Sequence, residues 1–281
     1  MDRSKARTIA RDTLRILDDG HYVAPSGARV AVRAHVDAAV AGTRDTRPDD
    51  PLAIAAGART TRLEVTPEST MEAGERLARE GTRPALLNFA SAHKPGGGFL
   101  GGAIAQEECL ARSSGLYPCL RASAMYAHHA PLRGGTYTHW VVHSPAVPFF
   151  RDDRGALLEE PWRADVVTSA AVNAGVVLER EPERAGEVER LMRERTARVL
   201  GVFAARRRSC WAPGAAASSA TTRPWSRASS TRRWPVPSRA CSRGWSSPSS
   251  TSVPARPCGA RSRRASPAAR PEVGAASDQR V

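Results

Sequence analysis

The sequence predicts an α/β protein: a mixed sheet flanked by helices. Three observations carry this. An apolar run over 84–90, PALLNFA, breaks directly into the glycine-rich segment Gly96-Gly97-Gly98-Phe99-Leu100-Gly101-Gly102 and then into a helical pattern from Gln106 to about Arg112. Two further β-rich runs follow, THWVVHS over 138–144 and ADVVTS over 164–169. A helical stripe then spans 183–205, with Val188, Leu191, Met192, Val199 and Phe203 on one face. Strands alternating with helices imply a layered α/β sheet.

The remaining elements read in order. Residues 6–17 place Ala6, Ile9, Ala10, Thr13, Leu14 and Leu17 at helical spacing, and Gly20 supplies the stop. Residues 20–32, GHYVAPSGARVAV, form a hairpin turned at Pro25-Ser26-Gly27. Residues 35–41 make a short helix, and 61–65 are a strand candidate. Ser69 followed by Glu72 is a capping-box pattern opening a helix over 70–80, which Gly81 ends. Residues 120–129 read as mixed helical and irregular. The length, 281 residues, suffices for one α/β domain with a good core.

Net charge is +14, which invites a nucleic-acid reading, but its location argues against one. Residues 205–281 hold 15 arginines against Glu272 and Asp278, whereas residues 1–204 carry 27 basic and 26 acidic groups. No apolar run approaches the roughly 18 residues of a membrane span. The start, MDRSKARTIARDTL, lacks the apolar core of a secretory signal. The five cysteines are odd in number and without metal-like spacing, so the expectation is a reduced, cytoplasmic chain. His139 and His143 have HxxxH spacing. On a strand that spacing is roughly 13 Å, too far to share an ion, so these and His128-His129 read as structural and no metal is expected.

The stretch 88–117 concentrates the chemistry. Glycines lack Cβ, so their N–H groups can crowd an anion, and a helix starting just after them adds orphan donors and partial positive charge. Strand, glycine loop, helix is therefore a plausible diphosphate cradle. Glu107 and Glu108 follow at once, about 100° apart on a helix, and so should have different jobs. Asn173 either lines the cleft or caps a helix.

GGG, seven residues, then QEE resembles the signature of poly(ADP-ribose) glycohydrolases, and the flanks NFASA and LARSSGLY resemble the bacterial, macrodomain-type branch. The resemblance implies a macrodomain-like sheet over about 61–205 with an accessory segment over 1–60. It implies hydrolysis of the ribose–ribose O-glycosidic bond, with ADP-ribose and ADP-ribosylated proteins as partners and no cofactor. Gly96, Gly97 and Gly98 would wrap the diphosphate. Gln106 and Glu107 would hold the ligand and its ribose hydroxyls, Glu107 completing the carboxylate pair of the catalytic site. Glu108 matches the catalytic residue. A carboxyl packed in a closed cleft beside another should have a raised pKa and can protonate the leaving oxygen. Phe99 either covers the ribose end or anchors the loop in the core. Asn88 and Ser91 border the same cleft, and Cys109 and Cys119 read as packing residues. The rivals are a non-catalytic ADP-ribose reader and nucleic-acid binding through the basic tail.

From residue 206 the composition changes. Residues 206–281 contain no Leu, Ile, Phe, Met, Tyr, Asn or Lys, yet hold four of the six tryptophans and three of the five cysteines. Such a segment cannot build a core and is expected to be disordered. Read from the third base of each codon, residues 210–225 can encode LGAWGCGVFGNDPAM. Residues 244–254 can encode VVFAVLDVGT at the same offset. The first gives a strand entering a glycine turn and resembles the second ligand loop of the same glycohydrolases; the second is a buried strand. The expectation is a frameshift of one nucleotide near codons 203–208.

Overall fold

Asp2 opens the first helix by accepting the Lys5 N–H at 2.9 Å. Helix α1 runs over Arg3–Asp19 and ends where Gly20, at φ 75°, returns its N–H to Ile16. The hairpin follows as β1 (His21–Val23) and β2 (Arg29–Ala31), antiparallel, with Gly27 at φ 88° in the turn. Helix α2 (Arg33–Gly42) and strand β3 (Arg44–Thr46) come next. This computed structural model describes residues 1–52 and 61–209.

Helix α3 (Thr70–Arg79) carries both halves of the capping box: Ser69 Oγ accepts the Glu72 N–H at 3.1 Å, and Glu72 accepts the Ser69 N–H at 2.8 Å. Strand β4 (Ala85–Phe89) leads into the glycine loop, which contains a 3-10 turn at Phe99–Gly101. Helices α4 (Gln106–Ser113), α5 (Leu116–Arg121) and α6 (Met125–His129) follow. The long strands β5 (Val141–Arg151) and β6 (Leu157–Ser169) come next, then α7 (Ala174–Arg180) and α8 (Val188–Ser209).

The main sheet has the order β3-β5-β6-β4. Only β4 and β6 run parallel, placing Asn88 opposite Thr168 and Phe89 opposite Ser169. Alternation along the strands separates two layers. Val142, Phe149, Trp162 and Val166 pack with Leu110, Leu116, Leu120 and Met125 on one face. Val141 and Val167 pack with Val199 and Val202 of α8 on the other. Trp162 stacks flat on Phe149 with centroids 4.2 Å apart, and Gly74 of α3 lets the helix approach them, since a Cβ there would lie 3.0 Å from the indole.

Four expectations change. Residues 61–65 are not a strand: Leu63 and Val65 are fully solvent-facing at 88% and 103% exposure, and the place beside β5 is taken by β3. The expected strand over 138–144 begins at Val141 and continues to Arg151 through Pro145 and Pro148. β3 pairs only as far as His143, so beyond it β5 has one edge among the described residues on which proline removes no ladder bond. A register shift between Ser144 and Val147, with Ala146 at φ 48°, absorbs the irregularity. The expected strand over 164–169 is the second half of β6, the return arm of a long hairpin turned at Gly155, φ 87°. Helix α8 starts at Val188, after a 3-10 turn over Pro182–Glu187. The reading-frame expectation and the expected disorder of the tail lie outside the described residues, apart from 206–209 at the end of α8.

The accessory segment is woven into the same compact unit as the rest of the described residues: β3 is a strand of the main sheet and α1 packs behind the glycine loop. The capping box gives a direct test. Ser69→Ala should lower the urea-unfolding free energy by about 1 kcal/mol, while Ser69→Asp should retain most of it.

Candidate active site

The site forms where β4 ends and α4 begins. Gln106 stitches the two together. Its side-chain oxygen accepts the Phe89 N–H at 3.0 Å, and its amide donates to the Leu87 carbonyl at 2.6 Å. Gln106, expected to hold ligand, here ties α4 to the β4 backbone, and its amide also approaches Thr70 Oγ1 at 3.4 Å.

Glu107 and Glu108, in the first turn of α4, are 4% and 8% exposed. Glu107 Oε2 accepts the Ser91 N–H at 2.7 Å, and the Asn88 amide approaches Oε1 at a long 3.5 Å. Burial pushes the Glu107 carboxyl up to about 7. The Ser91 N–H, the Asn88 amide and the Gly96 backbone oppose that rise, and the neighbouring Glu108 charge adds to it. Glu108 Oε1 accepts the Gly98 N–H at 2.8 Å; its Oε2 has no hydrogen-bond partner among the described residues.

Gly97 lies directly over both carboxylates. A Cβ there would sit 2.2 Å from Glu108 Oε1 and 2.9 Å from Glu107 Oε2, at φ 60°. Any side chain would therefore meet both steric overlap and left-handed strain. The glycine N–H groups, expected to wrap a diphosphate, have partners within the chain. That of Gly98 goes to Glu108, that of Gly97 to the Lys94 carbonyl at 2.9 Å, and Gly96 serves Glu107. The glycine loop thus folds over the carboxylate pair, with Gly98 bonded to Glu108.

Phe99 is the loop's anchor, one of the two alternatives the sequence left open. It is 1% exposed, packed among Ala10, Leu14 and Ala111 and edge-on to Tyr117 at 4.9 Å. Asn88 is likewise wholly buried instead of bordering the cleft, donating to Thr168 Oγ1 at 3.2 Å as well as toward Glu107. Ser91 does border it.

That cleft, about 430 Å³, opens at the carboxyl ends of β4 and β6, where open α/β sheets take their ligands. Its walls include Phe89, Ser91, His93, Tyr137 and Asn173. Asn173 fulfils both readings, since its Oδ1 also caps α7 by accepting the Val176 N–H at 3.1 Å. His93 and Tyr137 escaped the sequence reading. Their rings meet edge-on at 5.4 Å, and Tyr137 holds φ 48°, a conformation costly for a bulky residue. The Gly134-Gly135 pair before Tyr137 was the one available hint. A larger groove, about 970 Å³, lies between α3 and the start of β6; neither it nor the 430 Å³ cleft is lined by Gly96, Gly97, Gly98, Gln106, Glu107 or Glu108.

The histidines separate. His129 is buried against Thr138 Oγ1 at 2.7 Å, and burial pushes its ring down to about 4. His139 meets Glu194 at 3.2 Å and His143 meets Asp165 at 3.4 Å. No group of three His, Cys, Asp or Glu side chains able to hold a metal occurs among the described residues. Burial raises both thiols, Cys119 to about 11, consistent with packing roles.

Two buried carboxylates at the carboxyl end of an α/β sheet supply the acid/base groups that glycoside hydrolysis uses, and the family match places the chain in the glycoside-hydrolase class. The chain is a member of the microbial-type poly(ADP-ribose) glycohydrolase (PARG) family: residues 10–152 match the family described as "Microbial-type PARG, catalytic domain". Among solved structures, it resembles the poly(ADP-ribose) glycohydrolase of Thermomonospora curvata at 46% identity, TM-score 0.67, covering 73% of this chain and 76% of that one. The same enzyme bound to the inhibitor ADP-HPD matches at 45% identity and TM-score 0.65, with the same coverage. The Deinococcus radiodurans enzyme in complex with ADP-ribose matches at 44% identity and TM-score 0.57, covering 60% of this chain and 71% of that one. No curated protein matches the chain.

The raised Glu107 carboxyl makes stability depend on pH. A carboxyl whose folded pKa exceeds its unfolded value stabilises fully below the unfolded value and loses that contribution as pH rises through the folded one. The window here runs from about 4.5 to 7 and just beyond. Glu107→Gln should flatten it: between pH 5 and 8 the native chain should lose on the order of 2 kcal/mol relative to the variant in denaturant titrations. Parallel pH profiles would show that Glu107 does not carry the shift.

Proposed function

We propose that Glu108 is the general acid and base of a poly(ADP-ribose) glycohydrolase and that Glu107 holds the ribose hydroxyls beside it. The observation that carries this is the pair of buried carboxylates beneath Gly97, with one Glu108 oxygen fixed by the Gly98 N–H and the other without a protein partner among the described residues. The reaction is cleavage of the ribose–ribose O-glycosidic bond. Glu108 gives its proton to the leaving ribose oxygen as the anomeric C–O bond breaks through an oxocarbenium-like state. The resulting carboxylate takes a proton from the water that adds to the anomeric carbon, which releases ADP-ribose and restores the acid. Glu107, half-protonated near neutrality, can both donate to and accept from hydroxyls. The likeness to enzymes solved with ADP-ribose and ADP-HPD supports an ADP-ribose unit as ligand. Poly(ADP-ribose) on modified proteins in the cytoplasm is the setting this reading adopts. Among the described residues no helix is long and apolar enough to cross a membrane.

Glu108→Gln is the decisive substitution. Release of ADP-ribose from poly(ADP-ribose) should fall by at least about a hundredfold, while ADP-ribose binding by calorimetry changes little. Retained turnover would remove Glu108 from the chemistry. Binding without turnover in the unmutated, frame-restored chain would favour a non-catalytic reader.

The tail supports a second element of this reading, that the recorded frame slips near codons 203–208. One offset yields both LGAWGCGVFGNDPAM and VVFAVLDVGT, and among the described residues β4 pairs with β6 alone, leaving an edge that a further strand could use. The chain as written should then turn over poly(ADP-ribose) weakly or not at all, and the frame-restored chain well. Resequencing the gene from codon 195 onward checks it. An intact frame, or robust turnover by the 281-residue product, would overturn it.

A further inference from the structure

Arg112 is a buried arginine that the chemistry above does not use. It is 2% exposed, and no carboxylate pairs with it among the described residues. Burying a guanidinium is costly unless its donors are used, and a methionine would fill similar volume without that cost. The donors show what it does. The guanidinium donates to the Ala103 carbonyl and, at 3.1 Å, to Cys109 Sγ. The Ala103 N–H donates to the Gly98 carbonyl at 3.2 Å. The Gly98 N–H donates to Glu108 Oε1 at 2.8 Å. Glu108 and Arg112 stand one turn apart on α4. The bonds therefore close a ring that leaves the helix at Arg112, crosses the glycine loop and returns to the same helix at Glu108.

The ring has an outside support. The Thr13 hydroxyl of α1, wholly buried, donates to the Arg112 carbonyl, and Thr13 Oγ1 in turn accepts from Arg151 Nε at 3.3 Å. Arg151 is paired with Asp12 on the same helix. Helix α1 thereby fixes the last turn of α4 from which the ring begins.

We propose that Arg112 is a positioning residue for Glu108. It acts through Ala103 and Gly98 to hold one carboxylate oxygen and leave the other without a protein partner among the described residues, with Thr13 setting its place. This rests on Glu108 as the acid and base, but the geometric part is separately testable. The forked guanidinium suits two acceptors at once, which a lysine ammonium on a flexible stem meets less well.

The test is amide exchange by NMR on the full ¹⁵N-labelled chain and its Arg112→Gln and Arg112→Lys variants. Arg112→Gln should speed exchange at Gly98 and Ala103 by about tenfold or more, with Val142 and Val166 in the sheet unchanged and Arg112→Lys intermediate. Unchanged exchange at Gly98 and Ala103, or a uniform rise at all four amides, would overturn the proposal, the second because it marks a purely structural role. If Arg112→Gln does not fold, Thr13→Val reads the same amides and should loosen Gly98 and Ala103 alone. In turnover by the frame-restored chain, Arg112→Gln should lower kcat with KM held. Loosened amides with kcat unchanged would retain the ring and overturn its positioning role, whereas Glu108→Gln alone tests the acid and base, which separates the two claims.

Discussion

Two carboxylates cannot be buried side by side unless donors are brought to them, and most of the local architecture follows from that constraint. Like charges in a low-dielectric site oppose each other's ionisation, so the chain delivers backbone N–H groups from Ser91, Gly96 and Gly98 to Glu107 and Glu108. Delivering them requires the loop to fold back over the helix start. The crossing falls at Gly97, where no side chain fits. A loop of such residues has little packing of its own, so Phe99 supplies it by inserting between α1 and α4. The α4 start must also stay registered with β4, which is the work of the Gln106 side chain. Each of these residues serves the carboxylates at one remove.

This accounts for what the sequence made legible and what it did not. Local rules with a short reach were readable: Ser69 with Glu72 as a cap, Gly20 and Gly27 as positive-φ positions, the strand before the glycine loop and the helix after it. The carboxylate pair was readable as chemistry because acid/base work needs those groups. The partners of polar residues were not, since Gln106 and Asn88 look the same in a sequence whether they face a ligand or the chain's own backbone. The direction of the glycine N–H groups was hidden for the same reason: glycine announces conformational freedom, not where a donor points. The extension of β5 past Pro145 and Pro148 was hidden because proline's cost in a strand depends on which edge is paired, a fact of tertiary structure. Tyr137 is the hardest case, because nothing local marks a bulky residue for the left-handed region.

The two glutamates end up in different circumstances although they are adjacent in sequence. Glu107 lies deeper, and its carboxyl is pushed up to about 7 by burial. Around neutrality it fluctuates between donor and acceptor, which suits the ribose-holding role proposed for it. Glu108 keeps one oxygen fixed and one without a protein partner among the described residues, the minimum needed to aim a proton and then take another. Their 100° separation around the helix, set by helical geometry alone, is what lets neighbouring side chains meet such different surroundings.

Helix α1 belongs to this account as foundation. Gly102, at φ 84°, is pressed against α1 so closely that a Cβ would lie 2.2 Å from the Arg3 carbonyl, and the Arg7 guanidinium reaches the Gly101 carbonyl at 3.3 Å. Ala10 is small where Phe99 enters, and Thr13 meets the α4 backbone. Contacts of this kind tolerate little change in volume, so the helix and the glycine loop constrain each other along the whole shared face. A catalytic loop rich in glycine gains freedom to approach carboxylates and loses intrinsic rigidity in the same step. In this chain the rigidity is supplied from α1, a segment that carries none of the signature residues.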